Sequence, residues 1–119
     1  GHENRRGATI YKIPPAAAWA AARRAGLYEG APVDLKDGFI HFSSGPQLRE
    51  TARRHFAGQD GLVLVAFDAE SLGPALKWEP SRGGDLFPHL YAPLDPALAL
   101  SAVDLPLDAG GHVFPADIP

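Results

Sequence analysis

The stretch "FIHFSSGPQ" (Phe39–Gln47) decides how the chain reads. Its first six residues alternate and are rich in aromatic and β-branched side chains, so Phe39–Ser44 reads as a strand. The alternation places Phe39, His41 and Ser43 on one face and Ile40 and Phe42 on the other. Ser44 and Gln47 then have the spacing of a capping box, and Pro46 suits the first turn of a helix. From there Leu48, Ala52, His55 and Phe56 share one helical face, and Gly58 ends it. A histidine on such a face reads as a hydrogen-bonded core residue.

Upstream, "ATIYKI" (Ala8–Ile13) alternates as a first strand. Pro14 and Pro15 fit a helix start, where their missing N–H groups have no partner to lose. "AAAWAAARRAG" is strongly helix-forming. Gly26 is its stop, Arg23 and Arg24 complement its negative end, and Trp19 is its core anchor. Residues 27–38 show turn residues at both ends and no sustained period, so they read as a loop. Downstream, "GLVLVAFD" (Gly61–Asp68) is nearly continuous in apolar residues, as in a central strand covered on both faces. "ALKWEPS" (Ala75–Ser81), "HLYAPL" (His89–Leu94) and "ALALSAVDLPL" (Ala97–Leu107) read as further strands, and Pro93 weakens the second. From Asp108 onward the chain reads as loop.

Two helices in the N-terminal half followed by clustered strands predict an α+β fold with a mostly antiparallel sheet. The chain has 119 residues, enough for one domain, assigned to residues 8–119. The first seven, "GHENRRG", are polar and read as a segment outside that domain, in part not native, and His2 is set aside for that reason. No methionine is present, which implies that the sequence does not begin at a native start. A net charge of -3 without a basic cluster argues against bulk nucleic-acid binding. No run is long and apolar enough for a membrane span, and no export signal opens the chain. The absence of cysteine excludes disulfides and thiolate chemistry in this chain and agrees with a cytoplasmic location.

Two segments carry chemistry. In "DGFIHFSSGPQ", His41 and Ser43 share a strand face beside a helix N-terminus, where free N–H groups attract anions. The plainer alternative is a half-buried strand histidine followed by an ordinary serine cap. In "LKWEPSRGGDLFPHLY", Gly83 and Gly84 permit close approach to backbone, Arg82 offers a planar fork for phosphate, and His89 and Tyr91 share a face. The plainer alternative is a hairpin turn with Arg82 paired to Glu79 or Asp85. Zinc spacing is absent, so no metal is expected. No Asp or Glu is evidently placed to orient a histidine.

"YKI", "DGFIHFSS", "ARRHFAG" and "LKWEPSRGGDLFPHLY" together resemble the bacterial domain of unknown function 952 family, over Thr9 to about Leu107. That family is distantly similar to the ADP-ribosyltransferase and RNA 2'-phosphotransferase superfamily. The resemblance implies a small split sheet and a cleft for NAD. It implies that His41, with Ser43 or Ser44, contacts a ribose or phosphate. Arg82 and Gly83 would meet a diphosphate, Tyr91 would stack on a ring, and His89 would be an acid or base. The pattern departs from many such transferases, because no glutamate follows Glu79 to serve as their late catalytic residue. Two expectations follow: a nucleotide-binding domain, with ADP-ribosyl or phosphoryl transfer as the activity the resemblance implies, or a non-catalytic interaction module with structural histidines. The resemblance leaves monomer and homodimer both open.

Overall fold

The computed structural model describes residues 8–118. Residues 1–7, set aside above as a polar segment, lie outside them, as does Pro119. The elements in chain order begin with β1 (Thr9–Lys12), α1 (Ala16–Ala25), α2 (Pro32–Asp37), β2 (Ile40–His41), β3 (Ser43–Ser44) and α3 (Gly45–His55). The strands β4 (Leu62–Asp68), β5 (Leu76–Pro80), β6 (Leu86–Leu90), β7 (Ser101–Leu105), β8 (Leu107–Asp108) and β9 (Gly111–His112) follow. Short 3-10 turns at Ala69–Ala75, Arg82–Gly84 and Pro96–Leu98 link the later strands. The fold is α+β, and every strand pairing among the described residues is antiparallel.

The main sheet has the order β3-β1-β4-β7 and a smaller one β2-β6-β5. The apolar run of β4 explains the layering. Val63, Val65 and Phe67 point into one core with Ile10, Trp19 and Leu90. Leu62, Leu64 and Ala66 point into the other, with Leu48 and Ala52 of α3. A central strand apolar on both faces thus packs α3 on one side and α1 with the small sheet on the other. Trp19 anchors α1 as expected, meeting Phe67 edge-on at 6.2 Å between ring centres.

Phe39–Ser44 is not one strand. Ile40 and His41 pair with Leu90 and His89 of the small sheet, whereas Ser43 and Ser44 pair with Tyr11 and Ile10 of the main sheet. The crossing point is Phe42, whose N–H donates to the Pro88 carbonyl and whose ring is buried edge-on against Phe67. Burial of one aromatic at the junction turns the chain from one sheet into the other, a change that period-two alternation cannot report.

Three further expectations change. Residues 27–38 are not all loop: Pro32–Asp37 forms α2, with Pro32 in its first turn and Gly38 closing it at φ +86°. The Asp34 carboxylate accepts the Ala31 N–H at 2.7 Å, so a buried acid holds the start of its own helix. His55 is exposed rather than in the core, because the buried stripe of α3 ends at Ala52. The tail contains the β8–β9 hairpin. Pro93 proves to lie beyond β6, which begins three residues earlier than the sequence suggests. No helix among the described residues is long and apolar enough to cross a membrane.

Candidate functional site

Antiparallel pairing sets His41 directly opposite His89. Opposed residues share a sheet face, so Lys77 and Glu79 of β5 join them on the outer side of the small sheet. Ile40, Leu90, Leu76 and Trp78 take the inner side and pack on the core. The two imidazole centres lie 5.4 Å apart, edge to face. Phe39, which precedes the strand, lies over this face. Its ring stacks on His89 at 4.2 Å and leans against His41 at 4.6 Å and Tyr91 at 5.1 Å.

Each histidine is held by a carboxylate, contrary to the expectation that none is placed to do so. Asp34 sits under His41, accepting from its Nδ1 at 2.6 Å and from its backbone N–H at 3.0 Å. The buried Lys12 ammonium donates to Asp34 at 2.9 and 3.1 Å and to the His41 carbonyl at 2.8 Å. Burial alone would raise the Asp34 pKa. The hydrogen bond from the His41 ring, the Lys12 charge and hydrogen bond, and the His41 N–H outweigh it and hold the carboxyl at about 2. Burial lowers the Lys12 pKa, and Asp34 opposes this only in part. The other ring nitrogen of His41, Nε2, faces the exposed Asp37 carboxylate at 3.0 Å. Carboxylates only accept, so His41 bridges both acids by hydrogen bonds when both of its ring nitrogens carry a proton.

His89 is organised differently. Its Nδ1 meets Glu79 Oε1 at 2.8 Å, and the Tyr91 hydroxyl donates to the same oxygen at 2.7 Å. The Tyr91 hydroxyl bond, followed by that of His89, lowers the Glu79 pKa. In return Glu79 raises the Tyr91 pKa. Among the described residues nothing hydrogen-bonds His89 Nε2. A carboxylate thus fixes one nitrogen of the ring and leaves the other for a ligand or a proton, the arrangement a general acid or base requires.

Of the residues expected at the site, His41, His89 and Tyr91 come together. Ser43 and Ser44 do not join them. Past the crossing at Phe42, Ser43 is buried in the main sheet and its hydroxyl donates to Thr51 at 2.9 Å. The Ser44 N–H donates to Gln47 Oε1 at 3.0 Å, half of the expected capping box. Gly83 and Gly84 adopt positive φ in the β5–β6 turn, closed by Gly84 N–H to Ser81 carbonyl at 2.7 Å. Arg82 belongs to that turn by its backbone, and its side chain lies outside the described residues. Glu79, named above with Asp85 as a candidate surface partner of Arg82, accepts from His89 and Tyr91.

A family model described as a protein of unknown function, DUF952, matches residues 13–103. The chain belongs to the DUF952 family. The crystal structure of protein CC0527 from Caulobacter crescentus is similar to this DUF952 chain, with 55% identity and a TM-score of 0.84, covering 87% of this chain and 91% of that one. A double-methionine mutant of CC0527 gives 53% identity, the same coverage and the same score. Its solution NMR structure gives 55%, a score of 0.79, and 87% and 90% coverage. No curated protein matches the chain.

A groove of about 940 Å³ also opens on this DUF952 chain, lined among others by Tyr11, Ser44, Pro46, Trp78 and Val103. None of His41, His89 or Tyr91 lines it. Volume favours the groove, but the titratable and hydrogen-bonding groups gather on the outer face of the small sheet. Chemistry resides in such groups, so that face is the candidate site. Among the described residues no group of three or more metal-ligating side chains is arranged to hold a metal.

Proposed function

We propose that this chain binds NAD, ADP-ribose or a related phosphorylated nucleotide on the outer face of the small sheet, with His89 as acid or base. The observation that carries this reading is the Glu79–His89 contact, which leaves Nε2 without a hydrogen-bond partner among the described residues, beside a second, separately anchored imidazole. His89 Nε2 and the Tyr91 hydroxyl suit ribose hydroxyls, which both donate and accept. Phe39 and the 43%-exposed Tyr91 give ring surface for a base or nicotinamide. Charge for the phosphates comes from His41 and from Lys77 on the same face. Ser43 and Ser44 have no part in it. With a nicotinamide ribosyl substrate, Tyr91 orients the sugar, and the Glu79 carboxylate is the group that would offset positive charge as the ring bond weakens. The family resemblance points the same way, and transfer of ADP-ribosyl or phosphoryl is the activity it suggests.

Isothermal calorimetry with NAD, ADP-ribose and a 2'-phosphorylated nucleotide tests the reading. Binding of at least one is expected. No heat from any of the three at high protein concentration would sink it.

The burial of His89 (5% exposed) under Phe39 favours a second reading, a non-catalytic module in which the histidines are structural. That reading expects His41→Ala and His89→Ala both to lower the melting temperature strongly. The ligand reading expects His41→Ala to fold and to bind poorly.

A further inference from the structure

We propose that Asp37 occupies the seat of a ligand phosphate on His41, so that the phosphate group binds by displacing this side chain. The proposal rests on the nucleotide reading above and names which atom of the site meets the phosphate.

The argument is one of charge and of attachment. Asp34 and Lys12 are opposite charges in direct contact, and both are buried. Their charges cancel locally, and their hydrogen bonds fix the pair. Asp34 then anchors His41 through Nδ1 and through the backbone N–H. The ring is thereby aimed, and its remaining donor, Nε2, points outward. The group facing that donor is Asp37, the last residue of α2, whose side chain is 40% exposed. Its bond to His41 at 3.0 Å is its single polar contact among the described residues. Asp34 is tied by several bonds and Asp37 by one, so Asp37 is the acid that can leave. Gly38 follows it at φ +86°, and a Cβ built there would meet nothing within 4 Å. The end of α2 is therefore open to solvent on that side.

An oxygen anion is the acceptor to which a protonated imidazole N–H donates best, and a carboxylate and a phosphate both present one. A phosphate taking this place would keep the His41 bond and come within reach of the second imidazole, 5.4 Å away between ring centres. A neutral acceptor would make a weaker bond there than an anion does, and a cationic group would make none. The site therefore selects an anionic group at His41, and Asp37 sets the threshold that the anion must exceed.

The test is a titration of the side-chain ¹⁵N resonances of His41 with inorganic phosphate and, separately, ADP-ribose. It is run on the unaltered chain, on Asp37→Ala, on Asp37→Asn and on the charge control Asp60→Ala, in the turn before β4. Removing one like charge about 4 Å from the anion corresponds to roughly a fivefold lower Kd in a water-like dielectric. Tighter binding of ADP-ribose in both Asp37 variants but not in Asp60→Ala supports the proposal. The same gain with inorganic phosphate would place the recognised chemistry in the phosphate itself. A gain confined to ADP-ribose would tie it to a phosphate presented on a nucleotide. If the unaltered chain binds and the Asp37 variants bind no tighter than Asp60→Ala, the displacement idea is overturned and the nucleotide reading stands. If no chain binds either probe, both fall.

Discussion

At the scale of single residues, Asp34 has the widest consequences. It ionises at about 2 in the folded chain against an ordinary 3.8. A depressed carboxyl stabilises the fold above its unfolded pKa, and the contribution is lost as pH falls through the folded value. Stability measured by urea unfolding should therefore decline from about pH 4 to about pH 2, and Asp34→Asn should flatten that decline. An unchanged slope in the variant would contradict the assignment. The lowered pKa of Lys12 reports the opposite pull, the cost of burying its charge. The pair as a whole is thus worth less than the Asp34 shift alone implies. Removing only one member is another matter. At neutral pH, Asp34→Asn leaves Lys12 buried without a counter-charge and should cost about 3–5 kcal/mol. Glu79 offers a milder test. It raises the Tyr91 pKa, so Glu79→Gln should move the Tyr91 titration back toward the ordinary tyrosine value, followed by ring NMR shifts against pH. If Tyr91 titrates as before, the shared carboxylate is misassigned.

The sequence made His41, His89 and Tyr91 legible because strand alternation is local. It hid Asp34 because the partners that give it a role, Lys12 and His41, lie 22 and 7 residues away. Asp37 and His41 are four apart, but they straddle a helix end and a strand, so no helical rule links them. Glu79 is ten residues from His89, and only the hairpin register brings them together.

At the scale of elements, the turn into and out of α2 sets the site. Gly30 has φ +117°, and a Cβ there would come within 2.6 Å of Asp34 Cβ. Gly38 also has positive φ, but a Cβ there meets nothing. Gly38→Ala should therefore cost only backbone strain, about 1 kcal/mol. Gly30→Ala should cost more and should also displace the His41 ring resonances, since it pushes on the acid that anchors them. Equal losses from the two would contradict this account. Gln47 gives a second element-level test. It accepts from Ser44 N–H and donates to the Leu86 carbonyl at 2.7 Å, tying α3 to β6. Gln47→Ala should cost about 1–2 kcal/mol in chemical denaturation, because both backbone groups lose a partner. A neutral result would mean that water replaces both bonds. The strand at Phe39–Ser44 marks where element reading stopped short. Its residues have the right propensity and period throughout, and only the burial of Phe42 against Phe67 reveals two strands.

At the scale of the whole molecule, composition and element order were enough for an α+β fold with antiparallel sheets. They gave the apolar β4 its place in the centre, because a strand apolar on both faces needs cover on both. They could not give the division into two sheets, and that division decides which residues meet. It carries Ser43 and Ser44 away from His41 and leaves the two histidines facing each other on the smaller sheet. The central claim is that this outer face, and not the larger groove lined by Trp78, receives a nucleotide. The direct measurement is a long-range ¹H–¹⁵N NMR titration of the histidine rings with ADP-ribose. Resonances of His41 and His89 should move with saturable dependence on ligand, while those of the exposed His55 and of His112 in β9 stay in place. Shifts at His55 or His112, or no shift at His41 and His89 at saturating ADP-ribose, would contradict it.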